Sequence, residues 1–298
     1  MSPNSPGPLV LEPILTERIW GVQVLPAPYP QPEPGKPVGE LWLTSLECRV
    51  QNGGSAGKTL GAMMPDFPLL MKVLLPKDKL SVQVHPNDEQ AKAIGEARGK
   101  TECWYVLQAD PGAEIALGLK PGVMLEDLPE LIAEGSMEEK LQMVPVKAGD
   151  MIFVDAGTVH AIGPGVVVLE TQQYSDITYR LFDYGRPREL HVQQALAVTR
   201  TGTSAGLVLP ESMGEFTRLI SCKYFVVDRF EMPAGKRTAL RHADKLQILI
   251  AMEEGVTLRG GGAEIPLPRG KAVVLPLGSG EFVLEAREPG ATMRVLQP

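Results

Sequence analysis

Cysteine is scarce: the chain of 298 residues has three, Cys48, Cys103 and Cys222, far apart and with no CxxC pair. An odd, dispersed set argues against a disulfide framework and is what a reducing compartment permits. Cationic excess is also missing. With 29 Lys and Arg against 36 Asp and Glu, the net charge is −7, so a nucleic-acid partner, which needs a broad basic surface, is not expected. A local basic pocket for a phosphorylated small molecule stays open. Long apolar runs are absent too; stretches such as Gly165–Leu169 are far too short to span a bilayer. The opening "MSPNSPGPLVLEPILTERIWG" has no basic stretch and no long apolar core, so no signal peptide is expected. No heptad or unusually apolar stretch demands a partner subunit. A cytoplasmic protein with no membrane partner, monomeric or weakly dimeric, is the expectation.

What is present is strand signal. With 44% hydrophobic residues, the chain is long enough for one large domain or two modest ones. "GELWLTS", "LLMKVLL", "LSVQVH", "ECWYVLQ", "EIALGLK", "DMIFVDA", "VVVLETQQ", "DITYRLFDY", "YFVVDRFEM", "KLQILIAM" and "AVVLPLG" are short and rich in Val, Ile, Leu and aromatics. Each is broken by Gly, Pro or Asp. Helical signals are fewer: residues 88–97 after the N-cap candidate Asn87, the periodic "ELHVQQALAV", and a capping box of Ser136 and Glu139 in "SMEEKLQM". The proline-rich "PAPYPQPEPGKP" cannot join a central strand and reads as an extended surface loop. Many short strands and few helices predict an all-β-dominated fold of the double-sheet, jelly-roll kind.

A faint internal repeat divides the chain. "AGDMIFVDAGTVH" (148–160) aligns without gaps on "RGKAVVLPLGSGE" (269–281), matching Gly149 to Gly270 and Gly157 to Gly278. The pattern breaks near "TRTGTSAGLVLPESMG", which suggests a first domain over 1–205 and a second over 206–298. In the second copy Glu281 stands where the first has His160, so the second domain is expected to carry no metal and to serve in packing and wall-forming.

Histidine is nearly as rare as cysteine: His85, His160, His191 and His242 are the whole set. In "LSVQVHPNDEQA" residues i and i+2 of a strand share a face, so Gln83 and His85 point the same way while Val82 and Val84 fill the other side. Glu102 opens the strand "ECWYVLQ", and His160 follows one in "DAGTVHAIG". If these strands are neighbours, Gln83, His85, Glu102 and His160 converge. One amide oxygen, two imidazoles and a carboxylate suit a borderline divalent ion such as zinc. The bland alternative is a strand-end histidine satisfied by backbone beside an ordinary surface glutamate.

The run "FPLLMKVLLPKDKLSVQVHPND", "GKTECWYVL", "AGDMIFVDAGTVHAIG" and "ETQQYSDITYRLFDYGR" strongly resembles the type I mannose-6-phosphate isomerases, in the short bacterial branch of the cupin superfamily. "RIWG", "GELW" and "RELHVQQAL" fall where that family has similar segments. The resemblance covers residues 10–200 in order; the C-terminal third matches only loosely. It implies two cupin-like jelly-roll sandwiches, and one Zn2+ per chain held by Gln83, His85, Glu102 and His160. It further implies Arg180 near the reacting carbons of a phosphorylated hexose, Lys100 and Ser81 flanking the ligands, Glu170 on the strand leading to Arg180, and Lys72 pointing into the same cavity. Where many longer members read His-Lys-Pro-Glu, this chain has Gly99-Lys100-Thr101-Glu102, keeping the lysine and the glutamate. It also lacks their large helical insertion, which leaves the outer wall of the pocket open to question.

Plainer roles compete for several of these residues. Lys72 could reach its ammonium out to water; Glu170 and Arg180 could be a structural ion pair; His191 and His242 read as surface or capping residues. Trp20, Trp42 and Trp104 read as core, and Asp155 and Asp176 as turn formers. The implied reaction moves a proton between adjacent carbons and builds negative charge on oxygen, so it needs fixed positive charge where that charge develops. Arg180, Lys100 and a Lewis-acid metal would supply it. Glu170, Lys100 and a zinc-bound water are all candidates for the proton-transfer group. A non-catalytic metal- or sugar-binding cupin, or an isomerase of another sugar, are the competing readings.

Overall fold

A computed structural model describes residues 7–298. All the strands named above form, and they assemble into four sheets. The first seven-stranded sheet runs, from one edge, through Gly206–Val208, Met151–Val154, Glu102–Ala109, Val166–Gln173, Leu69–Leu74, Val38–Trp42 and Ile14–Val22. A five-stranded sheet (Tyr179–Phe182, Val82–Val84, His160–Ile162, Glu114–Leu119, Leu141–Pro145) covers one of its faces. Trp104, Val106 and Val168 from the large sheet and Ile115, Leu117 and Ile162 from the small one share that core. In the C-terminal part a second seven-stranded sheet is covered in the same way by a four-stranded one, with Phe230, Leu249 and Leu275 meeting Leu258 and Leu284.

The two large sheets then pack on each other. Leu69, Met71, Tyr105 and Leu169 of the first meet Val227, Ile248, Val274 and Val295 of the second in one continuous core. Four layers result, with the large sheets inside. This explains why "LLMKVLL" reads as an unbroken apolar run: a strand buried on both faces has no polar alternation to show. It also makes Lys72 conspicuous, because its side chain enters an interior.

The matched glycines of the repeat are used alike. Gly149 (φ 94°), Gly157 (φ 85°), Gly270 (φ 78°) and Gly278 (φ 73°) are all left-handed, a conformation that glycine adopts without a Cβ clash. They bracket Met151–Val154 in one copy and Ala272–Leu275 in the other. The chain crosses between the sandwiches at both ends of the first: Leu9–Val10 pairs with Ala272–Leu275, and Gly206–Val208 pairs with Met151–Val154.

Several local expectations are corrected. Asn87 and Gln90 make a reciprocal capping box, yet the helix they start is only Asp88–Ala93. Ser136 caps nothing; its hydroxyl donates back to the Leu131 carbonyl at 3.4 Å, and Met137–Lys140 is a single 3-10 turn leading into the strand Leu141–Pro145. The strand Gly290–Leu296 carries no clear apolar signature because Arg294 interrupts it, but Arg294 is buried against Asp228, with Nη2 2.7 Å from Oδ2. Residues 23–37 form no strand, and the proline-rich loop seats Pro28 and Tyr29 close to Gly270.

Candidate metal centre and active site

Strand alternation places the chemistry. On the large sheet, Lys72, Glu170 and Trp104 stand side by side in register, and Glu102 lies opposite Gln172 on the same face. On the facing sheet Gln83 pairs with His160 on one side and Arg180 on the other, and His85 follows two positions on. The space between the sheets therefore receives polar groups from both.

His85, Glu102 and His160 are fully buried, and their ligand atoms all lie within 4.8 Å of one another. Glu102 Oε1 is 3.4 Å from His160 Nε2, and Oε2 is 3.7 Å from His85 Nε2. His160 Nδ1 lies 2.9 Å from the Thr158 carbonyl, which can only accept, so the proton is on Nδ1 and the Nε2 lone pair faces inward. His85 Nε2 and both Glu102 oxygens are buried without a hydrogen bond. Buried acceptors left orphaned and facing one another are costly unless a cation joins them. Protonation state agrees. Burial, aided by Lys100, holds the His85 pKa well below the ordinary imidazole value, and burial brings His160 down to about 4, so both rings are neutral and able to ligate.

Gln83 has its amide 3.3 Å from His160 Nε2. Amide oxygen and nitrogen exchange by rotation about the last bond, so Gln83 is placed to offer its oxygen to the same point. The residues present fit a divalent metal.

In front of the trio is a cavity of about 340 Å³. Ser81, Gln83, Lys72, Lys100, Glu170 and Arg180 all line it, so six of the sequence-predicted site residues share one space beside the trio. The sequence reading missed four charged residues there: Arg18, Glu40, Asp176 and Arg188. Lys72 does not reach for water. It is buried, with Nζ 3.1 Å from Asp176 and 3.7 Å from Glu40, and 4.7 Å over the Trp42 ring. Burial opposes its charge, but Glu40 and Asp176 outweigh that and hold its pKa above the ordinary value. Asp176, read as a turn former, is thus an ion-pair partner.

Glu170 makes no ion pair with Arg180 among the described residues. Its Oε1 accepts from Trp104 Nε1 at 3.0 Å. Burial first, and the neighbouring Glu102 second, push its pKa up to about 7. Lys100 Nζ lies 3.5 Å from Glu102 Oε2. Arg180 Nη1 donates to the Glu189 carbonyl at 2.7 Å, and its Nε is buried without a partner. His191, read as a surface or capping residue, sits at the N-cap of the helix Val192–Val198, its carbonyl accepting from Ala195 N at 2.8 Å, and receives the Arg180 backbone N–H on Nδ1 at 3.3 Å, which steadies that strand. Of the tryptophans, Trp20 and Trp104 are buried, Trp20 also lining the cavity, and Trp42 donates to Glu40 at 2.6 Å. No residue beyond Arg188 lines the cavity, so the C-terminal part does not wall it as expected. A larger cavity, about 500 Å³, lies between the two sandwiches and holds none of the titratable cluster.

Comparison with known proteins decides the lineage. A mannose-6-phosphate isomerase (ManA) of Bacillus subtilis is 38% identical over 93% of this chain and 96% of its own length. The chain belongs to the mannose-6-phosphate isomerase family. Another member, from Streptococcus mutans, is 35% identical over 90% of this chain and 92% of its own. Residues 9–120 match the family description "phosphomannose isomerase type I, catalytic domain", a span that holds Gln83, His85 and Glu102. Among solved structures, the B. subtilis mannose 6-phosphate isomerase superposes with a TM-score of 0.86 at 30% identity, covering 97% of this chain and 99% of that one. A zinc-bound mannose 6-phosphate isomerase shares the fold at a TM-score of 0.77 and 17% identity, over 98% of this chain and 100% of that one. The isomerase is a metal-binding, all-β protein, and no helix among the described residues is long and apolar enough to cross a membrane.

Proposed function

We propose that this isomerase binds one zinc ion through His85, Glu102, His160 and Gln83, and interconverts mannose 6-phosphate and fructose 6-phosphate through an enediolate. The observation that carries the reading is a buried, orphaned His/Glu/His trio set against a cavity lined by Gln83, Lys100, Glu170 and Arg180, with Lys100 reaching Glu102 and Gln83 reaching His160. When bound, the metal supplies Lewis-acid polarisation of the sugar oxygens.

The remaining work falls to side chains. Glu170 carries the proton between the adjacent carbons: a carboxyl raised to about 7 is poised to accept and return a proton near neutral pH, and Trp104 fixes its orientation. Arg180 and Lys100 meet the negative charge that develops on oxygen. Ser81 and the Lys72 group shape the wall. The phosphate lies toward Arg180 and Arg188: Arg180 has no carboxylate partner among the described residues, and Asp183, which holds the Arg188 guanidinium with Nε 2.6 Å from Oδ2, is shared with Arg186. The metal-binding, catalytic unit is residues 1–205, and 206–298 carry no metal. That division is supported by the position of every proposed site residue at or before Arg188.

A coupled assay from mannose 6-phosphate to fructose 6-phosphate, with zinc measured on the same sample, tests the reading. Turnover lost to a chelator and restored by zinc, at about one ion per chain, is the expected result. Turnover that survives complete metal removal overturns it.

A further inference from the structure

Behind the metal-ligand segments lies a hydrogen-bonded post that none of the site residues accounts for. Asp88, the first residue of the helix Asp88–Ala93, follows His85 by one short turn. Its Oδ1 accepts from Gly99 N at 3.0 Å and from Gln173 Nε2 at 2.8 Å. The other end of the Gln173 amide accepts from Thr101 N at 3.0 Å, and Lys100 N donates to the Pro86 carbonyl at 2.9 Å. Segment 99–101 is thereby pinned on both sides, immediately before Glu102. There is no slack at Gly99: a Cβ there would lie 2.4 Å from the Asn87 carbonyl carbon.

The second oxygen of Asp88 faces away from the site, toward the C-terminal half of the chain. Tyr224, in the turn between Thr217–Ser221 and Val226–Met232, donates its hydroxyl to Asp88 Oδ2 at 3.0 Å. Lys223 adds an ion pair to the same oxygen at 3.5 Å. One carboxylate therefore joins three ligand- or site-bearing segments (His85, Lys100–Glu102 and Glu170–Gln173) to the sandwich that lines no part of the cavity.

We propose that Asp88 and Gln173 are positioning residues for Glu102 and Lys100, and that the C-terminal sandwich, through Tyr224, sets the geometry of the metal centre without touching it. The inference rests on the metal-site reading above. Outer partners that orient ligating groups are worth far more to a metal centre than their own hydrogen bonds, because each ligand is effective only in one orientation.

The test measures the rate of zinc transfer from the full-length zinc protein to a chromogenic chelator, alongside kcat and KM. Asp88→Ala removes the acceptor; Asp88→Asn keeps an oxygen for Gly99 and Gln173 and is the rescue. Expected is zinc loss about 10-fold faster in Asp88→Ala, a fall in kcat with KM little changed, near-parental behaviour in Asp88→Asn, and a smaller change of the same sign in Tyr224→Phe. Parental zinc release and kcat in a folded Asp88→Ala overturn the proposal. Should that variant not fold, parental zinc release in Tyr224→Phe overturns it. Zinc release needs no turnover, so a failure of the proposed reaction would show up separately.

Discussion

Single side chains set the sharpest expectations. Arg180→Ala removes a guanidinium that lines the cavity and is proposed to meet the developing charge, and kcat should fall about 100-fold with zinc content intact, as measured by coupled assay and metal analysis. The buried titrating groups make stability depend on pH in opposite senses. His160 titrates at about 4 in the fold against 6.5 when free. As pH falls through that window the unfolded chain takes up a proton that the folded one refuses, so metal-free protein should lose thermal stability there. Glu170 is raised from 4.5 to about 7. Its contribution is complete below 4.5 and is lost as pH rises through 7. Glu170→Gln should therefore gain Tm relative to the metal-free parent as pH rises to 8, and equal Tm shifts at every pH would contradict the burial argument. At this scale Gln83 and His85 were legible as candidate ligands because polar atoms at period two in an apolar strand are rare. Glu40, Asp176, Arg18 and Arg188 were not, because a charged residue near a turn or edge looks the same whether it faces water or a cavity.

At the scale of elements, the left-handed glycines carry the turns that aim the ligands. Gly157 N donates to the His85 carbonyl at 2.9 Å, and its turn delivers His160 three residues on. Gly149 has equally left-handed backbone with nothing within 4 Å of a Cβ. Alanine at Gly149 should cost about 1–2 kcal/mol, read by denaturant unfolding, and more at Gly157, where a Cβ would also lie 2.6 Å from Arg200 Nε and 3.0 Å from the Val198 carbonyl oxygen. Only Gly157→Ala should also weaken zinc retention, because it alone couples the two histidine-bearing segments. The repeat that exposed these glycines was readable because turn chemistry leaves a residue-specific mark. Short strands such as His160–Ile162 left none, since three residues are too few to show a period, and Gly290–Leu296 was hidden by an arginine that tertiary pairing had neutralised.

For the whole molecule, the decisive feature is the core shared by the two large sheets. Sequence marks each sandwich through its strands, but nothing in a strand's own pattern says whether its second face meets solvent or another sheet. Because Leu69, Met71, Tyr105 and Leu169 share one core with Val227, Ile248, Val274 and Val295 of the C-terminal sheet, a chain cut after residue 205 should expose a broad apolar face and aggregate. A soluble, monomeric fragment by size-exclusion chromatography would show the sandwiches to be independent. The intact protein should melt in one calorimetric transition. The pairing of Leu9–Val10 with Ala272–Leu275 also bears on how the chain acquires its shape during synthesis. Leu9–Val10 leaves the ribosome long before its partner Ala272–Leu275, so it must wait, unpaired, until that segment is made. Closing so long a loop comes late and slowly, and chaperone demand should concentrate on nascent chains that have not yet reached Leu275.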